Sequence, residues 1–298
     1  TKMSVPNTKE QYSSHIPAIA TLMSLGWKFI SQTDCLVLRG SSREVLLKPK
    51  LIEFLRSKTF EYKGETYPLS AQAIDQILRK MSSPGLNEGL LVANQTIYND
   101  LTLGITVTEF MPDGKKHQPN VSLIDWQDFD SNLFHVTEEF EVFNSVGTQT
   151  RRPDVVCFIN GIPIVVIEAK RPDSGNANKS MVEEGISQTI RNQKQDEIPE
   201  LFAYTQLMLA ISMSEGRYGT TYTESKFWAK WDEELFSEEH FAAIKNTRLS
   251  EVDKQKLFAD KPSQIARYFE ELWSEKQLPT DQDRLIVSLL SKERLLEF

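Results

Sequence analysis

The sequence predicts an α/β fold: a mixed β-sheet flanked by helices, with a helical extension at the C-terminal end. Three patterns predict it. Short unbroken apolar runs in mid-chain, DVVCFI and IPIVVIEAK, have the length and β-branched content of strands buried on both faces. Segments of helical periodicity stand before and after them. From about residue 237 onward the chain is charged and carries apolar stripes at helical spacing.

Each element has its own signal. In Ile16 to Trp27 (IPAIATLMSLGW), Ile16, Ile19, Leu22 and Met23 share one helical face, and Gly26 can end the helix. The run CLVLRG (Cys35 to Gly40) reads as a short strand. Ser70 reads as the N-cap of a helix over AQAIDQILRKM, and a second helix is expected through 86–99. LGITVTEF and VSLIDW are β-branched and apolar, with MPDGKKHQPN between them, so a hairpin with a long basic loop is expected. In LFHVTEEFEVF (Leu133 to Phe143) the residues Phe134, Val136, Phe140 and Val142 alternate onto one face. DVVCFI, an Asn160-Gly161 turn and IPIVVIEAK follow. A polar helix (KSMVEEGISQTIRNQK) and LFAYTQLMLAISMS come next, the latter ending in a buried strand.

The core from 16 to 213 therefore reads helix, strand, strand, strand, helix, strand, and the stretch 28–132 elaborates it. SQIARYFEEL, DQDRLIVSLL and KERLLEF give helices in the tail. The expected organisation is one α/β domain over 1–235 and a helical segment over 236–298. Phe298 falls inside a striped pattern without a capping signal, so the chain is expected to be a piece of a longer protein.

Composition narrows the classes. Of 298 residues, 40% are hydrophobic and 26% charged, the mix of a globular protein. No window approaches 18 consecutive apolar residues, so no membrane span is expected. The start, TKMSVPNTKEQYSS, lacks the apolar core of a secretory signal. Two cysteines with no disulfide or zinc spacing fit a reducing cytoplasm, and Cys157 reads as a small buried thiol. A net charge of −8 argues against a protein that coats DNA nonspecifically. It leaves open a local basic lining, which is all that phosphate binding requires.

Asp154 in RRPDVV, with Glu168 and Lys170 in VIEAK, carries the chemistry. Side chains alternate along a strand, so Glu168 and Lys170 point the same way. Asp154 lies on the preceding strand and can reach them across the ladder. Two carboxylates at a strand edge suit Mg²⁺, a hard cation with oxygen ligands. Mg²⁺ can acidify water and polarise a phosphoryl oxygen, and a neighbouring lysine can stabilise charge on a phosphate. The competing reading makes Glu168 and Lys170 the solvated end of a buried strand. The motif's position at the rim of two buried runs joined by a turn favours the PD-(D/E)xK reading.

Register adds a condition. Asn-Gly between apolar runs predicts a two-residue hairpin with Ile159 opposite Ile162. Unbroken pairing would then set Asp154 opposite Ile167 and turn the two carboxylates to opposite faces of the sheet. No single Mg²⁺ could take both, since its ligands lie about 2.1 Å away. The site therefore demands a three-residue loop or a bulge beside the turn, which sets Asp154 across from Glu168.

The stretch RRPDVVCFINGIPIVVIEAKRP resembles the nuclease block of type I restriction enzyme motor (R) subunits. IPELFAYTQL and GRYGTTYTESKFWAKW resemble segments that follow that block. The likeness covers roughly residues 130 to 232, and the N-terminal helix loosely. The resemblance implies a restriction-endonuclease-like fold with Asp154, Glu168 and the Ala169 backbone carbonyl as Mg²⁺ ligands, and Lys170 as the catalytic lysine. It implies double-stranded DNA as substrate. As partners it implies methylation and specificity subunits, which would supply DNA recognition. ATP would act only through a helicase motor further along, to which 236–298 would lead. This chain has no GxxxxGK[ST] loop and is expected neither to bind nor to hydrolyse ATP. The family's Q-x-x-x-Y motif maps onto Gln188, but Asn192 stands at the tyrosine position.

Arg191 and Lys194, on the helix of Gln188, are candidates for DNA phosphates or a solvated helix face. Lys115, Lys116 and His117 suit a solvated loop better than DNA contact. Glu10 is weighed as a carboxylate reaching the site from the N-terminal helix. Arg171 could pair with phosphate or with Asp173. His15, His117, His135 and His240 show no metal-ligand spacing, and Trp228 and Trp231 read as core residues. Two other functions remain open: a repair or recombination nuclease on the same catalytic strands, and a non-catalytic nuclease-fold assembly module. The IPELF and RYGTT segments argue against the first, and the intact Asp154, Glu168 and Lys170 against the second.

Overall fold

The computed structural model describes residues 10–172, 180–232 and 235–297. Asp173, the partner considered for Arg171, and the terminal Phe298 lie outside the described residues, as does the polar start through residue 9.

Helices α1 (Ile16–Ser24), α2 (Gln32–Arg39), α3 (Lys48–Arg56), α4 (Ala71–Ser82) and α5 (Leu90–Leu103) occupy the first third of the chain. The expected face of α1 is buried, and Gly26 just past it adopts φ +100°. Ser70 caps α4 by accepting the Ala73 N–H at 3.1 Å. Helices α6 (Met181–Asn192) and α7 (Pro199–Tyr204) follow the motif strands.

Among the described residues, six strands form the central sheet. They are β1 (Lys28–Phe29), β2 (Phe134–Glu138), β3 (Val155–Ile159), β4 (Ile162–Ala169), β5 (Leu207–Ser212) and β6 (Glu215–Gly219), side by side in that order. The sheet is mixed: β1 is parallel to β2 and β4 to β5, and the other neighbours are antiparallel. The connections explain this. The tight β3–β4 turn permits only an antiparallel pair, whereas parallel β4 and β5 need the crossover that α6 and α7 supply. Every residue of β3, β4 and β5 is buried, as their unbroken apolar runs require.

Three readings are corrected. Cys35 to Gly40 is not a strand but the body and C-cap of α2. The Ser31 side chain accepts the Asp34 N–H at 3.1 Å, and Gly40 closes the helix at φ +79°. Cys35 and Arg39, one turn apart, face inward, while Leu36 and Val37 are 44% and 76% exposed. The cap residues outweigh four apolar residues whose period is ambiguous. The helix expected through 86–99 begins with a 3₁₀ turn at Leu86–Glu88 and runs on as α5 to Leu103, where Gly104 at φ +77° stops it. The expected long hairpin is reduced to short ladders: Ile105–Thr106 pairs with Asn120–Val121, and Glu109–Phe110 with Lys116–His117.

The tail is helical as expected: α8 (Glu238–Lys245), α9 (Glu251–Phe258), α10 (Ser263–Trp273), α11 (Asp281–Leu290) and α12 (Lys292–Glu297). It does not stand apart from the sheet. Leu285, Ile286, Leu289 and Leu290 join the same apolar core as β3 to β5. Buried polar bonds fasten the tail: Gln282 with Ser14 (2.9 Å), and the Trp27 indole N–H with the Leu290 carbonyl (3.0 Å). No described helix is long and apolar enough to cross a membrane.

Candidate active site

The β3–β4 hairpin meets the register condition with a bulge. Asn160 (φ +52°) and Gly161 (φ +78°) form a two-residue turn, with Ile159 opposite Ile162 and Phe158 opposite Pro163. Positive φ at both positions is the type I′ geometry that Asn-Gly favours. The Asn160 side chain locks the turn by donating to the Leu123 carbonyl (2.9 Å) and accepting from the Leu133 N–H (2.7 Å). The register then slips. Cys157 faces Val165 and Val155 faces Ile167, so Ile164 is the extra residue. Pro163, which has no N–H to donate, stands beside the slip. Continued one step, the shifted register sets Asp154 across from Glu168. The Ala169 N–H accordingly donates to Asp154 Oδ2 at 2.8 Å.

Glu168 is fully buried at the end of β4. Its Oε2 accepts from Gln188 Nε2 (3.2 Å), while its Oε1 has no hydrogen-bond partner. Burial, and then the nearby Asp154 carboxylate, hold the Glu168 carboxyl well above the usual carboxylate range. Lys170 donates from Nζ to Gln188 Oε1 at 2.8 Å. Gln188, on α6, thus bridges the glutamate and the lysine. The helix sits close: a Cβ on Gly185 would lie 3.3 Å from the Ala210 Cβ and 3.6 Å from the Glu168 Cβ.

A second group of residues converges from elements distant in sequence. Ligand atoms of His15, Glu139 and Asp154 lie within 4.8 Å of one another. Glu139 follows β2 in a left-handed conformation (φ +51°) that a non-glycine residue adopts at a cost of roughly 1–2 kcal/mol. Its carboxylate also pairs with Arg152 at 2.6 Å. Burial foremost, with Asp154 and Glu138 opposing His15 and Arg152, raises the Glu139 pKa. His15 Nε2 meets Glu138 Oε2 at 2.7 Å. Burial works against charge on His15, yet the Glu138 hydrogen bond and the carboxylates of Glu138, Asp154 and Glu139 raise its pKa. Glu10 also faces this region: burial, then Asp154, raises its pKa.

This donor set suits a hard divalent cation. Asp154 is common to two groups: it adjoins Glu168 and the Ala169 backbone on its own hairpin, and it lies within 4.8 Å of His15 and Glu139, a group that does not include Glu168. The buried, unsatisfied Glu168 Oε1 is the kind of atom that an ion would satisfy. His15 could add an imidazole nitrogen from the α1 side.

Other expected residues lie elsewhere. Arg191 and Lys194 are exposed on and just past α6, outside the hydrogen-bonded cluster, where their charge acts on Glu197. Asn192 is buried and leaves its Oδ1 without a partner. The loop with Lys115, Lys116 and His117 packs on the 59–68 hairpin: His117 makes tilted ring contacts with Phe60 and Tyr62, and Lys116 lies over Phe110. Trp228 is a core residue against Gly219. Cys157 is fully buried and unpaired. Sequence reasoning missed Glu139 and gave His15 no role. The available signal was the Glu138-Glu139 pair, two adjacent acids between the apolar positions Val136 and Phe140.

The family described as type I restriction enzyme R protein N terminus matches residues 7–227. A putative type I restriction enzyme MjaIXP endonuclease subunit of Methanocaldococcus jannaschii is 26% identical over 302 residues, covering 100% of this chain and 26% of that protein. The type I restriction enzyme HindI endonuclease subunit of Haemophilus influenzae is 28% identical over 213 residues, covering 70% of this chain and 19% of that protein. The type I restriction enzyme EcoprrI endonuclease subunit of Escherichia coli is 28% identical over 218 residues, covering 66% of this chain and 65% of that protein. The chain thus spans only about a quarter and a fifth of the length of the first two relatives.

Proposed function

The chain belongs to the family of type I restriction enzyme R protein N termini, and from that premise we propose that it cuts DNA phosphodiester bonds, with Mg²⁺, as the nuclease of a restriction complex. The observation that carries this reading is the bulge at Ile164, which brings Asp154 across from Glu168 beside Lys170. Asp154, Glu168 and the Ala169 carbonyl would hold the cation, with His15 and Glu139 at its other side. When bound, Mg²⁺ acidifies water and neutralises phosphate charge.

The protein's own groups have separate tasks. Lys170, held by Gln188, places a positive charge where it can meet a phosphate oxygen and stabilise charge that develops there. Gln188 fixes Glu168 at the same time. Arg191 and Lys194 would contact the DNA backbone further along, as positioning charges without base specificity. The partners in this reading are double-stranded DNA and the methylation and specificity subunits of a cytoplasmic complex. ATP would drive a motor that lies outside this chain.

The test uses the full-length protein assembled with those subunits. Asp154→Ala, Glu168→Ala and Lys170→Ala should each abolish cleavage and leave ATP hydrolysis intact. A Lys170→Ala complex that cleaves at the wild-type rate would remove that lysine from the mechanism.

A further inference from the structure

We propose that Lys261, carried by the C-terminal helical segment, is a positioning residue that orients His15 in the site through Glu138. The proposal rests on reading that site as a metal centre. Lys261 lies between α9 and α10, more than a hundred residues from β2. Its Nζ donates to Glu138 Oε1 and to the Leu257 carbonyl (2.6 Å), and it lies over the Phe29 ring, 5.3 Å from the centroid. Glu138 turns its other oxygen, Oε2, to His15 Nε2 at 2.7 Å. The side chains of His15, Glu138 and Lys261 are only 5%, 11% and 8% exposed, so water does not compete strongly for these bonds.

The chain of contacts has a direction. Nε2 of His15 is committed to Glu138, which leaves Nδ1 as the ring nitrogen for the cluster with Asp154 and Glu139. A carboxylate that takes one imidazole nitrogen fixes the ring's orientation and makes the other nitrogen a better ligand. Glu138 is held for this task at both ends. On β2 it pairs with Val155, the residue after Asp154, and its Oε1 is anchored by Lys261. A carboxylate this buried needs a cationic partner. Without Lys261 the remaining partner is His15, and Glu138 is free to follow the ring or turn from it. Docking of the helical segment on the sheet is therefore coupled to the pose of His15. Lys261 acts on the site through Glu138.

The experiment is a double-mutant cycle on this chain, read by calorimetric Mn²⁺ titration and by long-range ¹H–¹⁵N spectra of the histidine rings without metal. Lys261→Met should weaken Mn²⁺ binding by about tenfold, the lower end of what loss of such a supporting partner costs. Lys261→Arg should restore most of it. In a His15→Gln background, Lys261→Met should change Mn²⁺ affinity less than about twofold, because the ring it orients is gone. In the metal-free spectra, the His15 Nε2–H signal should be protected from exchange in the wild type and lose that protection in Lys261→Met. Equal weakening in both backgrounds, or an unchanged ring signal, overturns the proposal. If Lys261→Met does not fold, Glu138→Gln takes its place with the same expectations. Asp154→Asn separates the two readings. If it binds Mn²⁺ like the wild type, the metal-centre reading fails, and the ring signal alone decides the role of Lys261.

Discussion

Glu168 combines complete burial with an unsatisfied carboxylate oxygen and an acidic neighbour, and the three together are costly in a metal-free protein. Its folded pKa lies above the unfolded value of about 4.3, so the folded state binds the proton more tightly. Metal-free stability must then fall as pH rises from that value toward the folded pKa, and stay low above it. Glu168→Gln keeps the shape and removes the charge. With metal chelated at neutral pH, it should be more stable than the wild type by ~1 kcal/mol or more, the scale of one buried unsatisfied group. In a chain of this size each kcal/mol is roughly 1–2 °C in Tm. The gain should shrink as pH falls toward 4 and reverse sign once Mn²⁺ is added. Thermal melts with chelator across that pH range check this, and a gain independent of pH would contradict it.

The β3–β4 hairpin is the element on which the site depends. Two features act together: the Asn160-Gly161 turn starts the pairing, and Ile164 shifts it by one residue. A one-residue shift changes the face that each side chain takes. Deleting Ile164 removes the extra residue and leaves the pairs beyond it unchanged, so Asp154 stays across from Glu168 and Mn²⁺ binding should survive. Inserting one residue after Ile164 should instead carry Glu168 one step past Asp154 and onto the other face, so that Mn²⁺ binding is lost while the helical and strand content by circular dichroism remains. An insertion variant that binds Mn²⁺ like the wild type would show that the register does not set the site. At this scale the sequence was legible where the signals were local. Buried strands appear as unbroken apolar runs, and the need for a bulge followed from the motif and the turn alone. Cys35 to Gly40 was misread because CLVL fits either period, and its caps, Ser31 and Gly40, carry the decision. Asp154, Glu168 and Lys170 were readable because they share one hairpin. His15 and Glu139 were not, since only the three-dimensional pairing of β2 with β3 and the packing of α1 bring them to Asp154.

At the scale of the whole molecule, the tail and the sheet share a core. Lys245 and Thr21 both bond Asp283, a side chain only 1% exposed, so α1, α8 and α11 meet at one buried charge. Leu285, Ile286, Leu289 and Leu290 bury apolar faces worth about 1.5–3 kcal/mol each when fully covered. Ending the chain at residue 235 should uncover the faces of α1 and β6 and lower Tm by more than any single core substitution, with aggregation on heating. A shortened chain that melts like the full one would show that the tail only leans on the sheet. The central claim concerns the place where Asp154 and Glu168 meet. The most direct test is anomalous diffraction from crystals of this chain soaked in Mn²⁺. The account predicts one strong peak between the Asp154 and Glu168 carboxylates, beside the Ala169 carbonyl and lost in Asp154→Asn. Saturating Mn²⁺ with no peak at that position would contradict it.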